Sequence, residues 1–302
     1  MMGKKKLLIG FSGGETSAFM AQWLINNKSD EYEMIFVFAN TGQENEETLV
    51  FVDKCDKFFG LNVVWVEAII NPISGQGTRA KIVSFETAYR HNLKNGIDPF
   101  KAHIAKYGMP NMENLACTRE LKTNTIKAYA RDLGWKRSQY TTAIGIRTDE
   151  IDRMSERAKL DNIIYPLISM RPMTKPQINT FWKLQPFRLE LKGYEGNCKV
   201  CHKKSLRKLL TIAKNTPEKF DWAIETEKEF ENFIPPTHAH NNKIKLPVRF
   251  FRNHLSANEI IEMSKMPFES ALDDSKTYYE QTELFGHELD TSNGCSESCE
   301  AF

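Results

Sequence analysis

Residues 6–17 have the sequence KLLIGFSGGETS, in which an apolar run ends in two adjacent glycines and three hydroxyl side chains. The run at 6–11 predicts a buried strand, and residues 16–24 carry apolar side chains at helical spacing. A backbone that turns sharply from a strand into a helix points several N–H groups at one place, where the helix dipole also favours negative charge. The glycine turn, residues 12–17, therefore predicts a phosphate site, although similar turns also cap helices without a ligand.

Further strand-helix units follow this first one. Apolar runs at 34–38 and 61–66 predict a second and a third strand, residues 140–145 a fourth, and residues 162–165 a short fifth. Strands that alternate with helices are typical of an α/β fold, here a five-stranded parallel sheet with helices on both faces. In such a sheet the carboxyl ends of the strands meet at one edge. We therefore expect Asn40-Thr41-Gly42 and Gly145-Ile146-Arg147 near the glycine turn.

The remaining chain divides into an insertion and a helical part. Residues 71–114 are broken by Gly, Pro and Asn and predict a loop insertion with one helix at 85–91. Further helices are predicted at 118–133, 175–184, 203–213 and 217–230. The expected organisation is an α/β domain over 1–170 that carries the phosphate site, with its insertion at about 70–115, and a mainly helical C-terminal region over 171–302.

Composition excludes several classes of protein. The 302 residues carry a formal net charge of +2, so that overall charge does not demand a nucleic-acid or membrane partner. The apolar run at 7–11 is too short for a signal peptide, and no run approaches the length of a membrane-spanning helix. We expect a cytoplasmic protein with no membrane partner, in which six cysteines more often bind metal or do redox work than form disulfides.

Several separate motifs together resemble those of one known family. They are the glycine turn, Asn40-Thr41-Gly42 with Glu47-Thr48, Cys117-Thr118-Arg119-Glu120-Leu121-Lys122, and Gly145-Ile146-Arg147 with Glu150 and Arg153. The sequence resembles, over about its first two thirds, the phosphoadenosine phosphosulfate (PAPS) reductase-like family of the adenine-nucleotide α-hydrolase superfamily. The resemblance implies that the turn binds nucleotide phosphate or sulfate, that Asn40 and Gly145 line an adenosine pocket, and that Arg147 reaches the anionic end.

The implied ligand is an adenine nucleotide: PAPS, adenylylsulfate or ATP. Its expected binding residues are Ser12, Gly13, Gly14, Glu15, Thr16, Ser17, Asn40, Thr41, Gly42, Gly145, Arg147 and Arg153. Relatives that cleave ATP usually carry Lys and then Asp where this chain has Glu15 and Thr16. Glu15 would repel a triphosphate unless it pointed away or bound a metal, which favours a sulfonucleotide.

Three cysteines are candidate metal ligands. Cys198 and Cys201 have the spacing that lets two sulfurs reach one metal, and Cys117 stands before a helix, where the dipole stabilises a thiolate. These positions resemble the [4Fe-4S] ligands of cluster-containing adenylylsulfate reductases, although Ala116 replaces a paired cysteine. The cluster would then have an open iron or a fourth ligand from His202, Cys295 or Cys299. Zinc bound by the three cysteines with His202, or unliganded thiols, are the alternatives.

The functional hypotheses differ in the role of the cysteines. In the first, the protein is a sulfonucleotide reductase in which Cys295 or Cys299 attacks sulfur and a thiol reductant protein completes the cycle, with Arg147 assisting. In the second, it is an ATP-using sulfur transferase that modifies tRNA or DNA, the only case that requires a nucleic-acid partner. In the third, it is a nucleotide-binding regulator without catalysis.

Overall fold

A computed structural model of the protein describes residues 3–73, 75–236 and 244–278. Its centre is a mixed sheet of six strands in the order β4-β3-β2-β1-β5-β6. Five strands are parallel, and β4 pairs antiparallel with β3. The strands are β1 (Lys5–Gly10), β2 (Tyr32–Asn40), β3 (Val64–Ile69), β4 (Arg79–Val83), β5 (Tyr140–Ala143) and β6 (Ile163–Ile164).

The helices surround this sheet and form most of the C-terminal region. A π-helical turn, Thr118–Thr123, leads into α4, and the 3-10 turns Thr148–Arg153 and Pro217–Phe220 follow β5 and α7. The α-helices of the described chain are α1 (Glu15–Lys28), α2 (Glu46–Phe59), α3 (Pro99–Tyr107), α4 (Asn124–Asp132), α5 (Pro166–Ser169), α6 (Lys175–Lys183), α7 (Leu206–Asn215), α8 (Asp221–Phe230) and α9 (Ala257–Ser264). None of them has the length and apolar character needed to cross a bilayer.

Both faces of the central strand are covered. Leu7 and Ile9 of β1 pack in one apolar cluster with residues of α1, α2 and α6, whereas Leu8 packs in another cluster with Ile126 of α4. Successive side chains of a strand point to opposite faces of the sheet, so this division follows from the two-residue period. The prediction of an α/β fold with helices on both faces is confirmed. Trp182 of α6 belongs to the first cluster, so the C-terminal region packs directly on the sheet.

The strand count and the insertion differ from expectation. The sheet has six strands instead of five, because Arg79–Val83 forms an antiparallel edge strand inside the predicted loop region. Its residues Arg79-Ala80-Lys81-Ile82-Val83 are mostly polar or exposed, so the strand lacks the apolar signal of its neighbours.

The helix predicted at 85–91 is also wrong, since those residues form turns. Side-chain oxygens of Glu67 and Asn95 accept the backbone N–H groups of Tyr89 and Arg90, which a helix would need. The helix of the insertion is α3 instead, capped by Asp98, whose carboxylate accepts the N–H of Phe100 at 2.8 Å.

The order of the strands places the glycine turn at a topological switch point. From β1 the chain adds β2 and β3 on one side, and then β5 and β6 on the other. In open parallel sheets, ligands bind in the crevice outside the carboxyl ends of the strands where the direction reverses. Here the crevice lies between the glycine turn after β1 and the residues that follow β5.

Candidate functional site

The glycine turn wraps around the beginning of α1. Gly13 has φ +85°, and a methyl group placed on it would lie 2.6 Å from Cγ2 of Thr48 in α2. Only glycine fits there, because the backbone conformation and the neighbouring helix both exclude a side chain. The Ser17 hydroxyl donates to the carbonyl of Gly14 at 2.9 Å, and the Ser12 hydroxyl donates to Ser17 Oγ at 2.9 Å. The structure thus confirms the strand, tight turn and helix.

The end of β5 approaches the same turn closely. A methyl group on Gly145 would lie 3.1 Å from Cα of Ser17, so the absent side chain lets two backbones come together. Arg147 follows, with its side chain 13% exposed. Its Nη1 donates to Thr16 Oγ1 at 2.9 Å, which places a guanidinium at the first turn of α1. The expected convergence of the Gly145–Arg147 segment on the glycine turn is therefore observed.

Acidic side chains neutralise the arginines beside the crevice. Asp149 accepts two hydrogen bonds from Arg147, from Nε at 2.9 Å and from Nη2 at 3.2 Å. Glu150 lies between Arg147, at 3.3 Å from Nη1, and Arg153, whose Nη1 donates to its other oxygen. An anionic ligand must share or replace these carboxylates, since each guanidinium has a limited number of N–H donors.

The carboxylate of Glu15 is bound within the protein. Arg188 donates to it from Nε and Nη2, each at 3.0 Å, and the N–H of Leu189 lies 3.3 Å from the same carboxylate. Burial raises the pKa of Glu15, and the Arg188 guanidinium acts in the opposite direction. Arg188 therefore neutralises the carboxylate that we expected to repel a triphosphate. No sequence motif indicated this pairing.

Asn40, the last residue of β2, forms a buried turn with Thr41 and Gly42. The Asn40 amide donates to Glu67 Oε1 at 2.8 Å and to the carbonyl of Tyr89 at 3.0 Å. Thr41 donates from its N–H and its hydroxyl to the carboxylate of Glu44. Gly42 has φ +82°. The turn reaches the predicted edge of the sheet, with its side chains engaged in shaping the loop.

The three candidate metal ligands line one small cavity, which we call the cysteine cavity. Its volume is about 30 Å³. The lining includes Cys117, Cys198, Cys201, His202, Thr41, Gln43, Thr118, Lys122, Phe100 and Trp222. Lys122 lies with Nζ 4.0 Å from Cys198 Sγ and 3.7 Å from the Glu44 carboxylate. Gln43 is buried, and its Nε2 has no hydrogen-bond partner among the described residues.

A backbone connection joins this cavity to the glycine turn. Residues 196–201, the cysteine turn, run beside the turn after β2, where Cys198 forms an antiparallel bridge with Glu44. The N–H of Lys199 donates to the carbonyl of Gln43 at 2.9 Å. On the other side, Asn197 donates from Nδ2 to the carbonyl of Ser12 at 3.0 Å. One short segment therefore contacts both predicted nucleotide turns and carries the thiols.

The C-terminal segment also reaches this region. Arg188, which binds Glu15, donates to the carbonyl of Ser275 at 2.7 Å and to the hydroxyl of Tyr278 at 3.3 Å. The candidate nucleophiles Cys295 and Cys299 lie outside the described residues. Tyr278, the last described residue, is thus linked to the first residue of α1 through one guanidinium.

Sequence reasoning missed several residues of the site. Arg188 belongs to a Pro-Phe-Arg segment without a motif, and its partnership with Glu15 spans 173 positions. For Asn197 the one signal in the sequence was its position directly before Cys198. Gln43 and Glu44 directly follow Asn40-Thr41-Gly42, so the polar turn was the one signal that pointed towards them.

The fold and geometry define the class: a mixed α/β protein with a glycine-rich turn at the switch point of its sheet and a cysteine-lined cavity beside that turn. No protein-family model matches the chain. The chain is 30% identical over 297 residues to the uncharacterized nin region protein ORF290 of Escherichia phage lambda, an alignment that covers 98% of this chain and 94% of the phage protein. The protein therefore belongs to the family of this phage lambda nin region protein.

Proposed function

We propose that the protein is a PAPS reductase-like enzyme that binds an adenine nucleotide or sulfonucleotide on the glycine turn and handles sulfur through its cysteines. The observation that carries the proposal is the position of Asn197, which contacts the glycine turn and directly precedes Cys198. An anion on the turn and a thiol of the cysteine cavity would be neighbours. Arg147 adds a planar cation at the same turn, suited to phosphate or sulfate.

The cysteine cavity suits a metal centre in its chemistry. Three thiols and an imidazole are ligands that zinc and iron-sulfur clusters take. The buried Nε2 of Gln43 has no partner in the part of the chain that the structure describes, and metal-bound sulfur would supply the acceptor that this donor requires. Among the described residues, no three His, Cys, Asp or Glu side chains stand at metal-binding geometry. A [4Fe-4S] cluster held by the three cysteines would supply an open iron able to bind sulfur, whereas zinc held by the same cysteines and His202 would be four-coordinate and structural.

The reductase chemistry needs a nucleophile from the tail. A Cys295 or Cys299 thiolate would attack the sulfur of the sulfonucleotide, form an S–S bond and release the nucleotide as its S–O bond breaks. A thiol reductant protein would then attack the cysteine sulfur, release sulfite and leave a disulfide. Cys295 follows Tyr278 by 17 residues, which can span at most roughly 55–60 Å. Since Tyr278 contacts Arg188, this length is sufficient to reach the glycine turn.

A specific contact favours the ATP-using sulfur transferase as a second candidate. Glu15 was the main objection to a triphosphate, and Arg188 neutralises it. In this reaction the turn would hold ATP while tRNA or DNA is adenylated, with release of pyrophosphate, before sulfur is delivered from the cysteine cavity.

Nucleotide binding can be tested with a matched pair of arginine variants. We would titrate ATP, adenylylsulfate and PAPS by calorimetry into wild type, Arg147→Ala and Arg157→Ala. Arg157 lies in the same segment, but its side chain is 73% exposed and its Nε lies 3.7 Å from the carboxylate of Asp161. Loss of a charged hydrogen bond at Arg147 should weaken binding by about 10- to 100-fold. Equal affinities of all three proteins, or no binding by wild type, would reject the proposal.

Turnover separates the candidates. Sulfite formed from PAPS or adenylylsulfate with a thiol reductant, and lost in a Cys295→Ser/Cys299→Ser double variant, would establish the reductase. Pyrophosphate released from ATP only when tRNA or DNA is present would establish the transferase instead. Tight nucleotide binding without either product would identify the protein as a regulator.

A further inference from the structure

A second and larger cavity, which we call the basic cleft, lies beside the cysteine cavity. Its volume is about 420 Å³, within the range of sites that enclose a small molecule. Its walls come mainly from the segments 108–114, after α3, and 244–254. Phe250 lines the cysteine cavity and Phe251 lines the basic cleft. One stretch of chain therefore forms the wall between the two cavities.

Positive charge dominates the lining of the basic cleft. Four basic side chains line it, those of Lys245, Arg249, Arg252 and His254. Among the described residues that line it, Glu113 supplies the one carboxylate. Burial lowers the pKa of His254, and the charges of Lys245 and Arg249 lower it further, so both cations act on the ring at short range. A cleft with this balance of charge attracts an anionic ligand.

The backbone beside these cations has an unusual conformation. Asn253 and His254 have φ values of +58° and +60°, in the left-handed region that few residues other than glycine adopt. The N–H of Leu255 donates to the carbonyl of Arg252 at 3.3 Å, which closes a tight turn around both residues. Strained backbone of this kind is concentrated at binding sites. The turn places the imidazole of His254 at the cleft.

Basic side chains continue from the basic cleft towards the cysteine cavity. Arg252 donates from Nη2 to the carbonyl of Lys203 at 2.8 Å, and Lys203 Nζ donates to Thr118 Oγ1 at 3.3 Å. Thr118 lines the cysteine cavity. Arg119 follows it, paired with Glu120 and with a side chain that is 63% exposed. A row of cations that extends beyond one pocket suits the repeated phosphates of a polymer better than a single small anion.

We propose that the basic cleft binds one nucleotide of a single-stranded nucleic acid, whose neighbouring phosphates lie along the row of cations from Lys245 to Arg119. Phe233 and His254 line the cleft without being buried, so each offers a ring face on which a base can stack. A duplex keeps its bases inside, so a base enters such a cleft from a single strand or after flipping.

The place of this site in a reaction rests on the second candidate of the proposed function, the sulfur transferase. The strand would carry its target base beside the cavity from which sulfur is delivered. Binding of the strand itself requires neither the glycine turn nor a nucleotide on it, because the basic cleft and the turn share no lining residue.

Binding can be measured by fluorescence anisotropy. We would titrate the full-length protein into fluorescein-labelled oligo(U), oligo(dT) and a DNA duplex of equal length, at about 50–200 mM salt and without added nucleotide. Lys245→Ala should weaken binding of the single strands about fivefold and lower the salt slope by about 0.7. Lys57→Ala is the matched control, because Lys57 is a 69% exposed lysine on α2.

A second variant separates stacking from charge. His254→Asn keeps a residue that tolerates the left-handed conformation but removes the ring. It should weaken binding about tenfold at pH 8, where the imidazole is neutral, and leave the salt slope unchanged. Circular dichroism of each variant verifies folding. Photo-crosslinking with 4-thiouridine in oligo(U), mapped by mass spectrometry, should label peptides from the segments 108–114 and 244–254.

The outcomes separate this site from the function proposed for the glycine turn. The inference is overturned if wild type binds neither single strand, if it binds the duplex more tightly, if Lys245→Ala and His254→Asn bind like Lys57→Ala, or if the crosslinks lie elsewhere. Oligonucleotide binding without binding of ATP, adenylylsulfate or PAPS would reject the proposal for the turn and leave this site standing. The reverse result would reject this site alone. A preference for oligo(U) or for oligo(dT) identifies RNA or DNA as the partner.

Discussion

Arg188 and Glu15, 173 positions apart in the sequence, form a two-pronged ion pair at the first residue of α1. The pair has a structural and an electrostatic consequence. It ties the segment before the cysteine turn to the glycine turn, and it cancels a negative charge beside the crevice. The same guanidinium also binds Ser275 and Tyr278, so it joins three distant segments.

Arg188→Ala should therefore lower both stability and nucleotide affinity. The variant leaves the Glu15 carboxylate largely buried without its cation, and removal of one partner of a buried pair costs about 3 kcal/mol of the free energy of unfolding. The pKa of Glu15, already raised by burial, should rise further. A carboxyl whose pKa is higher in the folded than in the unfolded protein lowers the free energy of unfolding as pH rises. The loss of stability in Arg188→Ala should therefore be smaller at pH 4 than at pH 7.

The Glu15→Gln/Arg188→Ala double variant is the control. It removes the charge along with its partner and should recover most of the lost nucleotide affinity, as measured by calorimetry. Equal affinity of the double variant and Arg188→Ala would show that charge cancellation is not the function of the pair.

Gly13→Ala should lower the stability of the protein by more than the strain of its backbone conformation alone would. Gly13 and Gly60 both have positive φ, but a methyl group on Gly60 meets no atom within 4 Å. Gly60→Ala should cost about 1 kcal/mol of stability, from conformation only. Gly13→Ala adds an overlap with Thr48 and should cost about 1–3 kcal/mol more. Urea unfolding measures both, and only Gly13→Ala should weaken nucleotide binding.

His103 should make the protein acid-sensitive. The side chain is fully buried on α3, and neither ring nitrogen has a hydrogen-bond partner among the described residues. Burial lowers the pKa of His103 to about 4, while the Glu120 carboxylate acts in the opposite direction. A group with a lowered folded pKa contributes stability above its unfolded pKa, near 6.5, which is lost as pH falls towards 4.

The loss should reach about 3 kcal/mol between pH 7 and pH 4. His103→Leu removes the titrating group from both folded and unfolded states, so the stability of this variant should fall less steeply over the same range. A wild-type slope that persists unchanged in His103→Leu would assign the acid sensitivity to other groups.

The metal hypothesis has a direct chemical test. Protein purified without oxygen should contain iron and acid-labile sulfide, or stoichiometric zinc, and Cys198→Ala should lose most of it. Cys55→Ala is the matched control, because Cys55 is a buried thiol that lies in the sheet cluster away from the cavity. Metal retained by Cys198→Ala, or absent from wild type, would contradict the proposed role of the cysteines.

The sequence was most informative where local patterns decide the structure. The apolar run before Ser12 and the two glycines after it predicted β1, the turn and α1, and Asn40 and Gly145 marked the ends of two other parallel strands. These features depend on spacing over a few residues. Their meeting at one edge then follows from the geometry of a parallel sheet.

Contacts between distant segments were not predictable in this way. Nothing near Arg188 indicates Glu15, and the polar edge strand β4 depends on pairing with β3 rather than on its own apolar pattern. The helix expected at 85–91 does not form, because side chains such as Glu67 accept backbone N–H groups that the helix would need. In each case a partner far away in sequence decides the local structure.

The bridge between Glu44 and Cys198 has a consequence for synthesis of the protein. The Asn45 amide and the Gly196 carbonyl that it binds are 151 positions apart, and Asn197 and Ser12 are 185 apart. A nascent chain that has already completed β1 and β2 must therefore wait until residues 188–201 leave the ribosome before the contacts of the glycine turn with Asn197 and Arg188 can form. Because chains grow at about 5–20 residues per second, the early strands remain without these partners for roughly 8–30 seconds. A ribosome-stalled fragment that ends before residue 188 should consequently bind no nucleotide, even with its sheet partly formed.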